Sequence, residues 1–383
     1  MRRLLFALLL TGLLSSFVGR APAQLPKEPE VQATVYYLDP MAKKEVSKDG
    51  FITEESIAGL KFKVGKDTIA IPSLDVRQIT YKTKVNALEY RKAFSTETKA
   101  RDTALKVEKR LEFYKDALGE FKALIPNVRE IPQANRYINY KIAEVQASMA
   151  DLDETKLDDA IKFLEAYRSD FGTGWETVPS MMKQADMLEK KGRLADAGKV
   201  YSDLADLPDA PEEVKQKAAL DGTKLLLRAK KYGEAESRLQ LQMTRLPKGD
   251  PEINKLNVML CTAMLLQNKT TGVDRDLRTA IAGITDVDLL AAGHNGLGDF
   301  YRIQNQPEEA FWAYLRVHTL YSQSQDRTEH ARALYHLWKL FDKPKNDLQR
   351  SQECLDRLLN GKEYNGTEWQ TRAKAEAKSA PMP

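Results

Sequence analysis

Few side chains in this sequence have the types and spacings that support metal binding or catalysis. The four histidines are His294, His318, His330 and His336, and none lies in an HExxH, HxH or i, i+4 arrangement suited to zinc. His330 and His336 stand six positions apart, which places them on different faces of a helix. A packing or solvated role is therefore favoured over a metal site, and we predict no metal and no cofactor.

The sequence motifs of the common catalytic sites are also absent. No GxSxG, Walker A, GxGxxG or CxxC segment occurs, and carboxylates on charged helices cannot be paired by sequence alone. The two cysteines, Cys261 and Cys354, fall on helices that are predicted to lie at least one hairpin apart. We favour two buried thiols over one disulfide, and we predict that the chain is not an enzyme.

The amino terminus has the pattern of a secretory signal peptide over residues 1–23. Two arginines precede an uncharged apolar run at residues 4–18, and small residues at 21 and 23 place cleavage before Gln24. The apolar run is shorter than the roughly 20 residues that a membrane-spanning helix requires. A cleaved signal peptide is therefore favoured over a retained membrane anchor, and we expect no transmembrane segment in the mature chain.

The charge of the mature chain gives no reason to expect a nucleic-acid partner. Cleavage would remove Arg2, Arg3 and Arg20, which lowers the formal net charge from +4 to +1. A nucleic-acid-binding surface needs clustered positive charge, and a nearly neutral chain does not indicate one. With 42% hydrophobic and 30% charged residues, the composition is that of a soluble chain with a buried core.

A small β domain is predicted over residues 34–82, after a polar linker at 24–33. Leu60, Phe62 and Val64 alternate with lysines, as in a half-buried strand, and Gly65-Lys66 is a plausible two-residue hairpin turn. Four or five such strands predict an SH3-like or Sm-like all-β domain. It could be a second docking element, or it could cap the helices that follow a connector at 83–97.

Helical spacing begins at residue 98 and continues to 360. In residues 98–125 the apolar positions recur every three or four residues, which also fits a coiled-coil seam. Pro126 stops the seam after a few turns, so a packed helix of a larger array is favoured. The later prolines fall where helices are expected to begin or end. The Ala- and Lys-rich segment 361–383 is predicted to be a disordered tail.

The clearest internal unit combines two helices around small residues. Leu297, Gly298 and Tyr301 lie on the first helix, and Ala310 and Tyr314 lie on the second. Gly298 and Ala310 are small because the two helices cross there, whereas the large residues fill the space between neighbouring hairpins.

A second unit repeats this arrangement with Ala185, Gly192, Ala197 and Tyr201. Weaker copies keep a small residue followed four positions later by a bulky one: Ala117 and Phe121, Ala160 and Leu164, Ala235 and Leu239, and Ala280 and Ile284. These units resemble the tetratricopeptide repeat (TPR) family, although their spacing is irregular. The resemblance implies a mainly α chain: a right-handed TPR-like solenoid of helical hairpins over 98–360, with a helical bundle as the alternative.

The resemblance also implies a partner-binding groove, because the first helix of each TPR pair lines a concave surface. The residues at corresponding positions are Asn295, Asp299 and Arg302 in the best unit, and Lys224 and Arg228 in an earlier one. An arginine there could bind a partner's carboxylate in a bidentate manner, although a solvated helix face would carry the same residue types. Trp312, Tyr335 and Trp338 are expected in the core.

These features together predict an exported, non-catalytic scaffold or adaptor. Its partners would be proteins or peptides in the periplasm or cell envelope, bound by many modest contacts along an extended surface. One alternative is a structural envelope component that assembles with itself. Another is an enzyme acting on the cell wall or on glycans, with its site inside the solenoid groove.

Overall fold

A computed structural model describes most of the chain. The described residues are 30–39, 41–82, 87–323 and 327–379. The expected signal peptide at 1–23 and most of the expected linker lie outside these ranges, so both stay predictions. No helix within the described ranges is long and apolar enough to cross a membrane.

Five antiparallel strands form one sheet ahead of the helices. They are β1 (Val31–Asp39), β2 (Lys44–Ser56), β3 (Gly59–Val64), β4 (Asp67–Pro72) and β5 (Val76–Tyr81), in the order β4-β3-β2-β1-β5. Val35 and Tyr37 of β1 are buried while their neighbours are not, which confirms the alternation of a half-buried strand. The small β domain is confirmed, but β1 begins at Val31, within the segment that was predicted as linker.

The β3–β4 hairpin closes through the turn that the sequence predicts. Val64 pairs with Asp67, which leaves Gly65 and Lys66 as the two loop residues. Gly65 has a φ of 61°, a left-handed conformation that glycine adopts without steric cost.

Residues 83–97, which were expected to be a connector, contain most of a helix. This helix, α1 (Ala87–Ala100), buries Tyr90, Phe94 and Glu97 on one face. The ring of Phe94 lies 5.2 Å from that of Phe121 between centroids. The apolar face of α1 is narrow, so its helical pattern is weak in sequence and packing against later helices stabilises it.

Fourteen further helices follow in the described residues. They are α2 (Val107–Val128), α3 (Pro132–Leu152), α4 (Leu157–Phe171), α5 (Thr177–Lys190), α6 (Leu194–Ala205), α7 (Glu212–Arg228), α8 (Tyr232–Arg245), α9 (Glu252–Leu265), α10 (Val273–Ala282), α11 (Val287–Ile303), α12 (Pro307–Leu320), α13 (Arg327–Asp342), α14 (Leu348–Asn360) and α15 (Glu368–Ser379). Pro132 and Pro307 begin helices, as proline at the first helical position favours. Pro126 was expected to end a helix, but α2 continues past it to Val128.

The helices form a stack of hairpins. Each helix packs against the next, and α11 also contacts both α9 and α13. The small residues that define the second helix of each predicted unit all lie on even-numbered helices and are at most 1% exposed: Ala117, Ala160, Ala197, Ala235, Ala280 and Ala310. The predicted TPR-like solenoid is therefore confirmed as the fold.

The carboxyl-terminal segment 361–383 was expected to be disordered, but its described part is ordered. A short 3₁₀ helix (Lys362–Tyr364) leads into α15. The ring of Trp369 lies 5.3 Å from that of Tyr335, and the amide of Gln370 donates to the carbonyl of Leu358 at 3.1 Å. The Ala- and Lys-rich composition reflects the polar outer side that a terminal capping helix of a repeat stack needs.

The sheet covers the amino-terminal end of the helical stack. Its buried face shares one apolar core with α1 to α7. The backbone N–H of Ile79 in β5 donates to the hydroxyl of Tyr137 in α3 at 3.1 Å. These contacts are those of a cap, and a role of the β domain in docking stays a prediction.

Candidate functional site

Two of the residues expected to face a partner are buried inside the solenoid. Asn295 is 0% exposed and Asp299 is 6% exposed. The side-chain amide of Asn295 donates to the backbone carbonyl of Glu329 at 2.8 Å and to its carboxylate at 2.7 Å. The prediction that these two residues line an open groove is wrong, because neighbouring first helices approach closely enough to enclose them.

The carboxylate of Asp299 belongs to a buried ion pair. It accepts hydrogen bonds from Arg332 on α13 and from the hydroxyl of Tyr314 on α12. Burial alone would raise the pKa of Asp299, but Arg332, His336 and the Tyr314 hydroxyl together outweigh that effect and hold the pKa below its usual value. These contacts join three helices, so Asp299 stabilises the stack.

The other three predicted groove residues lie at the surface. Nε of Arg302 lies 3.8 Å from Oδ1 of Asp299, and the side chain of Arg302 is half exposed. Arg228 on α7 forms an ion pair with Glu189 on α5, and Lys224 is exposed on the same helix. Their contribution to partner binding stays a prediction.

The residues that define the repeat take the positions expected of them. Ala185, Ala197, Ala310 and Tyr314 are fully buried, and Leu297 is 6% exposed. Tyr201 and Tyr301 are half-buried. Gly192 adopts a φ of 76° in the turn after α5. A Cβ on Gly298 would lie 2.5 Å from the ring of Tyr314. The crossing of α11 and α12 therefore requires glycine at 298, as the sequence indicates.

The histidines pack inside the carboxyl-terminal hairpins. Nδ1 of His318 lies 3.0 Å from Nε2 of His330, whose Nδ1 lies 2.9 Å from the hydroxyl of Tyr364. Burial lowers the pKa of His294 to about 4 and that of His336 to about 3. No group of three potential metal ligands occurs among the described residues.

Both cysteines are buried free thiols, as predicted. Burial raises the pKa of Cys261 to about 12 and that of Cys354 to about 11. A thiol with such a pKa is almost entirely protonated at neutral pH and is therefore a poor nucleophile.

The three aromatic residues expected in the core divide between core and surface. Tyr335 is 6% exposed and Trp338 is half-buried, in agreement with expectation. Trp312 is 58% exposed, so its placement in the core was wrong. Its indole N–H donates to the carboxylate of Glu308, one turn earlier on α12, at 3.0 Å. This bond holds the ring along the outer side of its own helix.

A cleft of about 1030 Å³ opens between α7 and α8. These helices are joined by a tight turn at residues 229–231, and the cleft lies at the opposite, open end of the hairpin. The end of α6, the loop at residues 246–250 and the start of α9 complete its walls. It is therefore enclosed by parts of three consecutive hairpins.

Four leucines line the cleft. Leu256 on α9 is buried, Leu220 on α7 and Leu246 in the loop are half-buried, and Leu241 on α8 is 43% exposed. No local pattern in the sequence marks this site, because the leucines come from separate elements and the cavity depends on the divergence of two helices.

Charged residues of both signs also line the cleft. The acidic residues are Asp206, Glu212, Glu213, Asp250 and Glu252, and the basic ones are Lys215, Lys217 and Arg245. Nη2 of Arg245 lies 3.4 Å from Oδ1 of Asp206. Burial would raise the pKa of Asp206, but hydrogen bonds and charge from Arg238 and Arg245 lower it overall. Glu213 and Lys217 make no ion pair with the described residues and are free to meet a partner's charges.

The cleft lies where the apolar core is thinnest. Helix α8 buries only Ala235 and Leu239 among its described side chains. One continuous apolar cluster extends to Leu225, and the next begins at Val258. Because few buried contacts hold α8, we expect this hairpin to open and close more easily than its neighbours.

The chain is structurally similar to several solved proteins at low sequence identity. No protein-family profile matches the chain, and no curated protein matches it. A tetratricopeptide repeat protein from Parabacteroides merdae superposes with a TM-score of 0.46 at 15% identity, covering 75% of this chain and 98% of that one.

Two further solved structures are similar to a lesser degree. BtubC from P. vanneervenii has a TM-score of 0.39 at 15% identity, covering 66% of this chain and 94% of its own. The apo form of RapI has a TM-score of 0.40 at 13% identity, covering 78% of each chain. Similarities this low assign no family and no function to the chain.

Proposed function

We propose that this chain is an exported, non-catalytic scaffold that binds segments of other proteins in the periplasm or cell envelope. The observation that carries the proposal is the cleft between α7 and α8, which is lined by four leucines and by charges of both signs. Its volume of about 1030 Å³ is at the upper end of ligand pockets, which suits side chains from a protein segment.

The composition of the cleft supports a protein ligand. Partner segments commonly bury a few apolar side chains in a groove, and polar contacts at the rim set their orientation. Leu241 is exposed in the lining, and Glu213 and Lys217 offer charges of opposite sign on one helix face. The weakly held helix α8 allows the cleft to adjust to different segments.

Site-specific photo-crosslinking in cells tests this role. A photoreactive phenylalanine analogue at Leu241 should form a discrete protein adduct, and Leu220→Asp in the lining of the cleft should diminish it. The matched control is the analogue at Leu348, which is 66% exposed on α14 outside the cleft. Equal adducts from both positions, or no adduct at Leu241, would contradict the proposal.

Export is tested separately by fractionation and amino-terminal sequencing. The proposal rests on the basic, apolar and small-residue segments that precede Gln24. The mature chain should leave the cytoplasmic fraction and begin at Gln24. A chain that keeps residues 1–23 in the cytoplasm would refute export without bearing on the cleft.

A further inference from the structure

A second cavity, polar and smaller, lies between the sheet and α1. It has a volume of about 320 Å³. The strands contribute four side chains at two directly paired positions, Thr34 opposite Thr80 and Tyr36 opposite Gln78. The intervening Val35 and Ile79 are fully buried in the core, so the alternation of the strands turns these four side chains the other way.

Helix α1 supplies the facing wall. Arg91, Ser95 and Thr98 recur at spacings of four and three, which places them on one side of the helix. The opposite side, with Tyr90 and Ala93, packs into the core. Strand alternation and helical periodicity thus direct two polar sets toward one space.

Most of these polar groups have no partner among the residues that the structure describes. Thr34 donates to Asp49 at 2.5 Å, and Thr98 donates to the carbonyl of Phe94 at 2.9 Å. The side chains without a hydrogen bond or ion pair to any described residue are Tyr36, Gln78, Thr80, Arg91 and Ser95. In contrast, the adjacent Lys92 forms an ion pair with Glu120 at 3.1 Å.

The charge of the lining defines the ligand. Arg91 is the one charged residue that lines the cavity within the described chain, and no carboxylate neutralises it there. A planar guanidinium binds a carboxylate through two parallel hydrogen bonds. The remaining groups are hydroxyls, an amide and a phenol, which both donate and accept hydrogen bonds and so match a ligand rich in hydroxyls.

We propose that this cavity binds a sugar acid of about the size of one monosaccharide. Its carboxylate would pair with Arg91, and its hydroxyls would bond to Gln78, Thr80 and Ser95. A volume of about 320 Å³ is near the lower limit of small-molecule pockets, which fits one sugar ring. A polyphosphate would require several cations, and an apolar ligand would leave the hydroxyls unsatisfied.

Calorimetric titration of the full mature chain tests the proposal. D-glucuronate and D-galacturonate are the probes, and D-glucose and D-galactose are the uncharged counterparts. At least one uronate should bind saturably in the millimolar range, and about 10-fold more tightly than its neutral counterpart, which corresponds to roughly 1.4 kcal/mol. Arg91→Gln should weaken uronate binding by about the same factor, because it removes the charge but keeps the helix.

Two further variants make the assignment specific. Thr80→Val removes one hydroxyl at nearly constant volume and should weaken binding while leaving the melting temperature of the chain nearly unchanged. Lys92→Gln, one residue from Arg91 but paired with Glu120, should bind as the wild type does. The proposal is overturned by a lack of saturable heat with both uronates, by equal binding of neutral sugars, or by equal loss in Lys92→Gln and Arg91→Gln.

Discussion

Arg136 on α3 forms a buried ion pair with Glu55 on β2, although 81 positions separate them in sequence. The two side chains are 6% and 1% exposed. Arg136 also donates from Nε to the carboxylate of Glu176, at the start of α5, at 3.2 Å. Gly174 makes room for this contact, since a Cβ there would lie 2.2 Å from Nε of Arg136. One guanidinium therefore ties the sheet to two hairpins of the solenoid.

Replacing Arg136 should loosen the sheet from the helical stack. Arg136→Ala would leave the acidic groups of Glu55 and Glu176 buried without their cation, which typically costs about 3–5 kcal/mol in the free energy of unfolding. Urea denaturation measures this loss. Lys61→Ala is the control, because Lys61 pairs with Glu54 at 2.7 Å at the surface and should change stability by about 0–1 kcal/mol. Equal effects from the two variants would contradict the assigned role.

Glu176 should make stability depend on pH near neutrality. Burial raises its pKa to about 7, and the nearby Glu55 adds to the effect while Arg136 opposes it. The pKa of Glu176 in the folded chain lies above its value near 4.5 in the unfolded chain. The stability that the protonated carboxyl contributes is therefore complete below pH 4.5 and is lost as the pH rises through 7. Glu176→Gln should therefore gain stability relative to the wild type between pH 5 and pH 8, on the order of 3 kcal/mol.

The measurement for Glu176 is the difference between variant and wild type in urea denaturation at several pH values. The buried His294 and His336 have lowered pKa values, so they make the stability of both chains fall as the pH drops below 6.5. Subtracting the wild-type stability from that of the variant cancels this contribution. A difference that stays constant from pH 5 to pH 8 would show that Glu176 does not titrate in that range.

Adding a methyl group at Gly298 should destabilise the α11–α12 crossing. A Cβ there would lie 2.5 Å from the ring of Tyr314, whose hydroxyl is held by Asp299. Gly298→Ala should lower the free energy of unfolding by about 1–3 kcal/mol. The matched control is Gly119→Ala on α2, where a Cβ meets nothing within 4 Å. The control should stabilise the chain by about 0.5–1 kcal/mol, because alanine favours helix.

Removing α15 should expose the end of the core. A chain that ends at Asn360 loses Tyr364 and Ala373, which are 1% and 0% exposed, and uncovers Tyr335. Loss of the buried tyrosine alone should cost about 3–5 kcal/mol, and the melting temperature should fall accordingly. A chain that ends at Ser379 is the control and should melt as the full chain does. Equal melting of both would indicate that α15 contributes little to stability.

The main elements could be predicted because their signals are local. Alternating residues in β1 and β3 reveal a half-buried sheet, and Ala197 and Ala310 mark the second helices of hairpins. Helix α1 and helix α15 were missed because each buries few apolar residues. Each of these two helices is held in place by contacts with other helices, such as Phe94 with Phe121 and Trp369 with Tyr335.

The candidate site depended on features that sequence spacing does not contain. The resemblance to the TPR family predicted that Asn295 and Asp299 line a groove, but contacts with Glu329 and Arg332 from the next hairpin bury them. The cleft above Leu220 exists because α7 and α8 diverge, and that divergence depends on how three hairpins stack.

The sequence by itself determined the small β domain, the hairpin repeat and the size of the residues at the crossings. These follow from periodicity and steric fit within one hairpin, where backbone hydrogen bonds join near neighbours along the chain. The tertiary structure decided which polar residues are buried, where the cleft opens and how the sheet joins the stack. Burying a charge such as that of Glu55 is favourable only when a cation such as Arg136 arrives from a distant segment, so its position depends on the whole fold.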